Sequence, residues 1–93
     1  HAKKVDTKGI RLSVKMGTHD LDIRKRQAEG FLDDGDKIKI EIRLRGREKE
    51  HGDIAHQRIQ EFVQHLSQKY GITMEQAITR NQGNVSAIIA RKS

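Results

Sequence analysis

The residues best suited to bind a charged partner lie between Lys37 and Lys49, where Lys37, Lys39, Arg43, Arg45, Arg47 and Lys49 stand against only Glu41 and Glu48. The local excess is four positive charges. Arg43 and Arg45 are two residues apart, so on a strand they share a face. Gly46 lets the backbone come close to a phosphate while Arg47 begins the next element. A guanidinium offers paired donors that match phosphate oxygens. The same pattern equally describes a solvated strand face whose charges maintain solubility. A second cluster, Arg24-Lys25-Arg26, fans across about 200° of a helix, so its members cannot all face one phosphate. Lys25, four residues after Leu21 and three before Ala28, can lay its stem along the core edge while Arg24 and Arg26 reach outward. Lys69 and Arg80 fall outside both clusters.

Other chemistry-bearing types do not assemble into a recognisable motif. The histidines are His1, His19, His51, His56 and His65; none forms an HExxH arrangement or has a cysteine partner. Glu61 and His65 are four apart on a helix, where a surface ion pair is favoured over a metal site. Asp33, Asp34 and Asp36 surround Gly35, and turn chemistry accounts for them. No glycine-rich phosphate loop precedes a helix, and no nucleophile and base are paired in the sequence. Neither catalysis nor a cofactor, metal or small-molecule substrate is expected. The aromatics Phe31, Phe62 and Tyr70 sit in helical stripes, which makes packing their duty and argues against a base-stacking platform.

The elements that must carry these residues follow from periodicity. Residues 9–16 alternate Ile10, Leu12, Val14 and Met16 with polar neighbours, a strand pattern. Thr18 to Asp20 offer caps for a helix over 20–34, with Leu21, Ala28, Phe31 and Leu32 on one stripe, and Gly35 as its stop. Residues 37–45 put Ile38, Ile40, Ile42 and Leu44 on one face and basic side chains on the other. Beyond Gly52, Ala55, Ile59, Phe62, Val63, Leu66 and Tyr70 build the stripe of a long helix with Gly71 placed to cap it. Strands over 72–80 and 85–91 flank the turn-rich 81–84. The order is β-α-β-α-β-β, an α+β two-layer sandwich: a four-stranded mixed sheet with both helices on one face, both β-α-β passages favouring parallel neighbours.

The chain of 93 residues suffices for one domain. Hydrophobic residues make up 33% and charged residues 34%, so the core is thin and one sheet face is left for solvent or a partner. Lys and Arg outnumber Asp and Glu by 19 to 13 and the pI is about 9.9, which favours an anionic partner. Cysteine is absent, excluding disulfides and thiolate metal sites and fitting a reducing compartment. No apolar stretch is long enough for a membrane helix, and a cytoplasmic monomer is expected. The chain opens His1-Ala2 rather than on Met, as a domain excised from a larger parent would. Residues 1–8, with Lys3, Lys4 and Lys8, read as a basic linker, and 9–93 as the folded domain.

The run Phe31-Leu32-Asp33-Asp34-Gly35-Asp36-Lys37-Ile38-Lys39-Ile40, followed by Arg43-Leu44-Arg45-Gly46-Arg47-Glu48 and His51, resembles the signature segment of bacterial translation initiation factor three, C-terminal domain. Lys8-Gly9-Ile10-Arg11-Leu12 and His19-Asp20-Leu21 extend the likeness through the first half; beyond 52 it is one of pattern and length. The resemblance implies a domain that binds small-subunit ribosomal RNA, hinders premature joining of the large subunit and supports initiator-tRNA and start-codon selection, without catalysis. It implies RNA contacts at Arg24, Arg26, Arg43, Arg45 and Arg47. This chain departs from the family at Ser13, Gly30, Glu61 and Gly83, where further basic residues are common, at Val14, where a proline is usual, and at Lys49-Glu50, where Met-Ala is usual. A basic module for an acidic protein partner, or another ribosome-associated RNA-binding protein, is the competing reading.

Overall fold

The computed structural model describes residues 6–92. Four strands and two helices follow one another as β1 (Thr7–Leu12), α1 (Thr18–Asp33), β2 (Lys37–Arg43), a short 3-10 turn (Gly46–His51), α2 (Gly52–Ser67), β3 (Ile72–Asn81) and β4 (Asn84–Arg91). The alternation of apolar residues is what builds the sheet: Ile10 and Leu12 of β1, Ile38, Ile40 and Ile42 of β2, and Val85, Ala87 and Ile89 of β4 are all buried. Their intervening neighbours face the other way. Both helices cover the buried face, α1 against β1 and β2, α2 against β3 and β4. The α2 stripe of Ala55, Ile59, Phe62 and Leu66 is fully enclosed, as are Ala28 and Leu32 of α1. Phe31, expected in the core, is only partly buried at its edge.

The strand order is β1-β2-β4-β3. β1 and β2 are parallel neighbours, whereas β4 pairs antiparallel with both β2 and β3. The second β-α-β passage therefore leaves a gap between β2 and β3, corrected from the expected adjacency because β4 fills it. The burial of Val85, Ala87 and Ile89 suits β4 to a central position. β3, largely exposed and interrupted by two register shifts, suits an edge, where irregularity discourages pairing with another chain.

Several boundaries differ from the sequence reading for local reasons. β1 starts at Thr7 and stops at Leu12, because Ser13 turns the chain: its Oγ accepts the Lys15 amide at 3.2 Å and its carbonyl accepts that of Met16 at 3.2 Å. Val14 and Met16 still pack against the core from this turn. Of the stretch read as a linker, Thr7 and Lys8 pair with Lys37 and Ile38; residues 1–5 lie outside the described residues. Helix α1 begins after Gly17, without a side-chain cap from Thr18, His19 or Asp20. It ends as anticipated at Gly35, whose φ of +86° only glycine adopts easily. The Gly35 amide donates to Leu32 O at 3.0 Å and the Asp36 amide to Phe31 O at 2.9 Å, a Schellman closure. Gly71 does not cap α2: the helix closes three residues earlier at Gln68, and the Lys69 and Tyr70 amides donate to Leu66 O at 3.1 and 2.9 Å.

Candidate nucleic-acid interface

β1 and β2 run in parallel, so both deliver their C-terminal residues to the same end of the sheet, and α1 starts there. This topology gathers outward-facing Arg11 of β1, Arg24 from the first half of α1, and Arg43 at the end of β2. The chain stays extended past β2, with Leu44 buried and Arg45 (φ −116°, ψ 137°) exposed, so the alternation that put Arg43 outward continues for two more residues. Arg11, Arg24, Arg43 and Arg45 line one concavity of about 410 Å³, floored by Leu12 and Met16 and bounded by Ser13 and Glu48. Arg43 also borders a neighbouring hollow of about 270 Å³ with Leu44, Lys49 and residues 81–84 of the β3–β4 hairpin.

Arg45 leads into the 3-10 turn. Its amide donates to Glu48 Oε1 at 3.2 Å and its carbonyl accepts the Glu48 amide at 2.9 Å, so Glu48 serves to close the turn. Gly46 takes φ +53°, a left-handed conformation that reverses the chain; this need, with open space around its α-carbon, explains the glycine. Arg47 follows, exposed on the turn. Arg24 is steadied by Gln27, whose Oε1 accepts from Nη1 at 3.0 Å.

Of the five expected contact residues, the structure brings Arg24, Arg43 and Arg45 to one concavity. Arg47 projects beside it and Arg26 lies outside its lining. Arg11, which the sequence reading does not place among the contacts, joins them through the β1–β2 register, which sets it beside Glu41. Arg80, taken from sequence as remote from both clusters, donates from Nη2 to the carbonyl of Lys49 in the turn at 2.6 Å.

The electrostatics separate these arginines from the basic residues that already have a carboxylate partner. Lys8, Lys25 and Lys37 lie against Asp6, Asp22 and Glu75, and Arg11 sits 3.5 Å from Glu41. Among the described residues, none of Arg24, Arg26, Arg43, Arg45 and Arg47 has a carboxylate within 4.0 Å. Charges left without counterions at one end of a sheet are suited to an anion brought from outside.

Asp33, Asp36 and His65 take structural parts. Asp33 Oδ1 accepts the Tyr70 hydroxyl at 2.7 Å, and Asp36 Oδ1 accepts the Asp6 amide at 3.4 Å. His65 lies 3.7 Å from Glu29 across the two helices, in place of the expected Glu61. No group of three metal-ligating side chains converges among the described residues, and no described helix is long and apolar enough to cross a membrane.

A family model described as "Translation initiation factor IF-3, C-terminal domain" matches residues 5–92. The chain belongs to this family. It is 37% identical over 90 residues to translation initiation factor IF-3 of Caldanaerobacter subterraneus subsp. tengcongensis, covering 97% of this chain and 49% of that protein. The factor of Nostoc punctiforme is 34% identical over 87 residues, 94% of this chain and 48% of its own length. That of Clostridium perfringens is 39% identical over 66 residues, 71% and 37% respectively. The chain thus spans about half the length, or less, of these relatives. The IF-3 family match covers every element described above, the arginine-rich end of the sheet included.

Proposed function

We propose that this IF-3 C-terminal domain docks on the small ribosomal subunit by binding its ribosomal RNA with Arg24, Arg43, Arg45 and Arg47, with Arg26 as an outlying contact and Arg11 as an added one. In this role it hinders premature joining of the large subunit and supports start-codon and initiator-tRNA selection, acting in the cytoplasm as a monomer and without catalysis. The RNA-binding unit is residues 9–93 together with Thr7 and Lys8, which the β1 pairing draws out of the basic lead-in. The observation that carries the reading is the convergence of four guanidinium groups at the end of β1 and β2, of which only that of Arg11 has a carboxylate within 4.0 Å among the described residues. Planar guanidinium donors drawn from two strands, a helix and the chain beyond β2 suit the spaced phosphates of a folded RNA. Co-sedimentation with purified small and large ribosomal subunits tests the reading. The chain is expected to travel with the small subunit, and to be released steeply as salt is raised, because phosphate contacts displace counterions. Preference for the large subunit, or binding indifferent to salt, would overturn it.

A further inference from the structure

The 3-10 turn Gly46–His51 carries Arg47 and fixes the exit of Arg45, yet it is poorly held by its own bonds. Such turns have weak hydrogen-bond geometry and rarely persist unaided. Arg80, 31 residues further along on β3, reaches it from the far side of the hairpin. Its Nη2 donates to the Lys49 carbonyl at 2.6 Å while its Nε donates to the Gln82 carbonyl at 3.4 Å. Among the described residues this is the one side-chain hydrogen bond that reaches the turn from another element. Gln82 holds φ +58°, a conformation that non-glycine residues keep only when their surroundings impose it. Alongside, the Leu44 amide donates to Gly83 O at 2.6 Å, so the hairpin is fastened to the extension of β2 through Gly83 and to the turn through Arg80.

Gly52 supplies the space for this arrangement. It is buried, with an ordinary helical conformation (φ −59°, ψ −34°), so no backbone demand explains a glycine there. A β-carbon added to it would lie 3.0 Å from Arg80 Cζ and closer still to Nη1. The guanidinium therefore occupies the volume that any other residue at 52 would fill.

The geometry points to Arg80 as a positioning residue that clamps the Gly46–His51 turn to the β3–β4 hairpin and so holds Arg45 and Arg47 ready for RNA. Nε and Nη2 are engaged by carbonyls and Nη1 lies against Gly52, so the guanidinium of the exposed Arg80 is turned to the protein. The gain is preorganisation: arginines already fixed lose less freedom on binding. The inference rests on the reading of this end of the molecule as the RNA interface.

Two variants unseat the clamp by opposite means. Arg80→Ala removes it, and Gly52→Ala displaces it while keeping its charge and a helix-compatible backbone. Each is expected to weaken binding of the chain to purified small ribosomal subunits about tenfold, the scale set by releasing two long side chains, with thermal melts close to the parent. In a chain already carrying Arg45→Ala and Arg47→Ala, Arg80→Ala is expected to add nothing further. Amide exchange of Glu48 in the free protein is expected to speed up in both single variants. If Gly52→Ala binds like the parent while Arg80→Ala is weakened, or if Arg80→Ala costs as much in the double-arginine background, Arg80 is an independent contact and the clamp is wrong. Unchanged Glu48 exchange in both variants overturns it as well. If the unsubstituted chain fails to bind the small subunit, the RNA reading falls, and the exchange measurement still decides whether Arg80 holds the turn.

Discussion

Tyr70 is the residue on which the carboxylate end of the molecule is organised. Its hydroxyl donates to Asp33 Oδ1 at 2.7 Å, with the Glu29 carbonyl at 3.2 Å as a second acceptor. The Arg91 guanidinium stands 5.4 Å from its ring centre and donates to Leu32 O at 3.2 Å. One side chain just beyond α2 thus joins the end of α1 to the last residue of β4. The bond to Asp33 holds the phenol protonated and pushes its pKa up to about 12, with burial and the charges of Asp33 and Glu29 acting the same way and Arg91 opposing them. Because the folded value lies above the ordinary 10.0, the folded state keeps its proton where the unfolded chain loses it. The stabilisation is therefore complete below pH 10 and is lost as pH rises towards about 12. Denaturant melts from pH 9 to pH 11.5 are expected to show the parent losing stability more steeply than Tyr70→Phe. Parallel pH curves for the two proteins would show that the hydroxyl bond does not exist in solution.

At the scale of elements, periodicity carried most of the reading. Ile38, Ile40 and Ile42 are buried as their alternation requires, and the Ala55, Ile59, Phe62 and Leu66 stripe lies under the sheet. What periodicity could not reveal was anything decided by partners distant in the chain. Val14 and Met16 continue a strand-like alternation, but a Ser13 side-chain bond turns the backbone before them. The place of β4 between β2 and β3 depends on competition among strands, which no local window contains. Likewise Arg43 and Arg45 were legible from a two-residue spacing, whereas Arg11 needed the β1–β2 register and Arg80 needed the fold of the hairpin onto the turn. The element most exposed to test is α2. Phe62 is 1% exposed at its centre, and Phe62→Ala is expected to cost about 3 to 5 kcal/mol, enough to threaten so small a domain. A loss under about 1 kcal/mol in denaturant melts would mean that the helix presents a different face to the sheet.

Across the whole molecule, the arginines of the interface gather at one end of the strands. β1 and β2 run from Asp6 and Asp36 at one end to Arg11 and Arg43 at the other, and α1, running back, ends at Asp33 and Asp34. The net charge of +6 meets carboxylates at both ends, Asp33, Asp34 and Asp36 at one and Glu41 and Glu48 at the other, yet Arg24, Arg43 and Arg45 gather without a carboxylate within 4.0 Å among the described residues. A protein that merely floats in a diffuse positive field would lose affinity in proportion to the charge removed, wherever it was removed. A docking end would not. Replacing Arg43, Arg45 and Arg47 together by Ala is expected to flatten the plot of log affinity for the small subunit against log salt by roughly two units, since each phosphate contact contributes about 0.7 to 0.9. Stability should shift by no more than about 0.5 kcal/mol per site, because all three side chains are exposed. The matching control removes the same charge from Lys25, Lys37 and Lys69. Lys25 and Lys37 already face Asp22 and Glu75, and Lys69 lies over the Tyr70 ring. Arg80 is unsuited to that control, since its loss would loosen the turn under test. If the lysine variant flattens the salt dependence as much as the arginine variant, the basic surface acts as a general field, and the end of β1 and β2 has no special claim on the RNA.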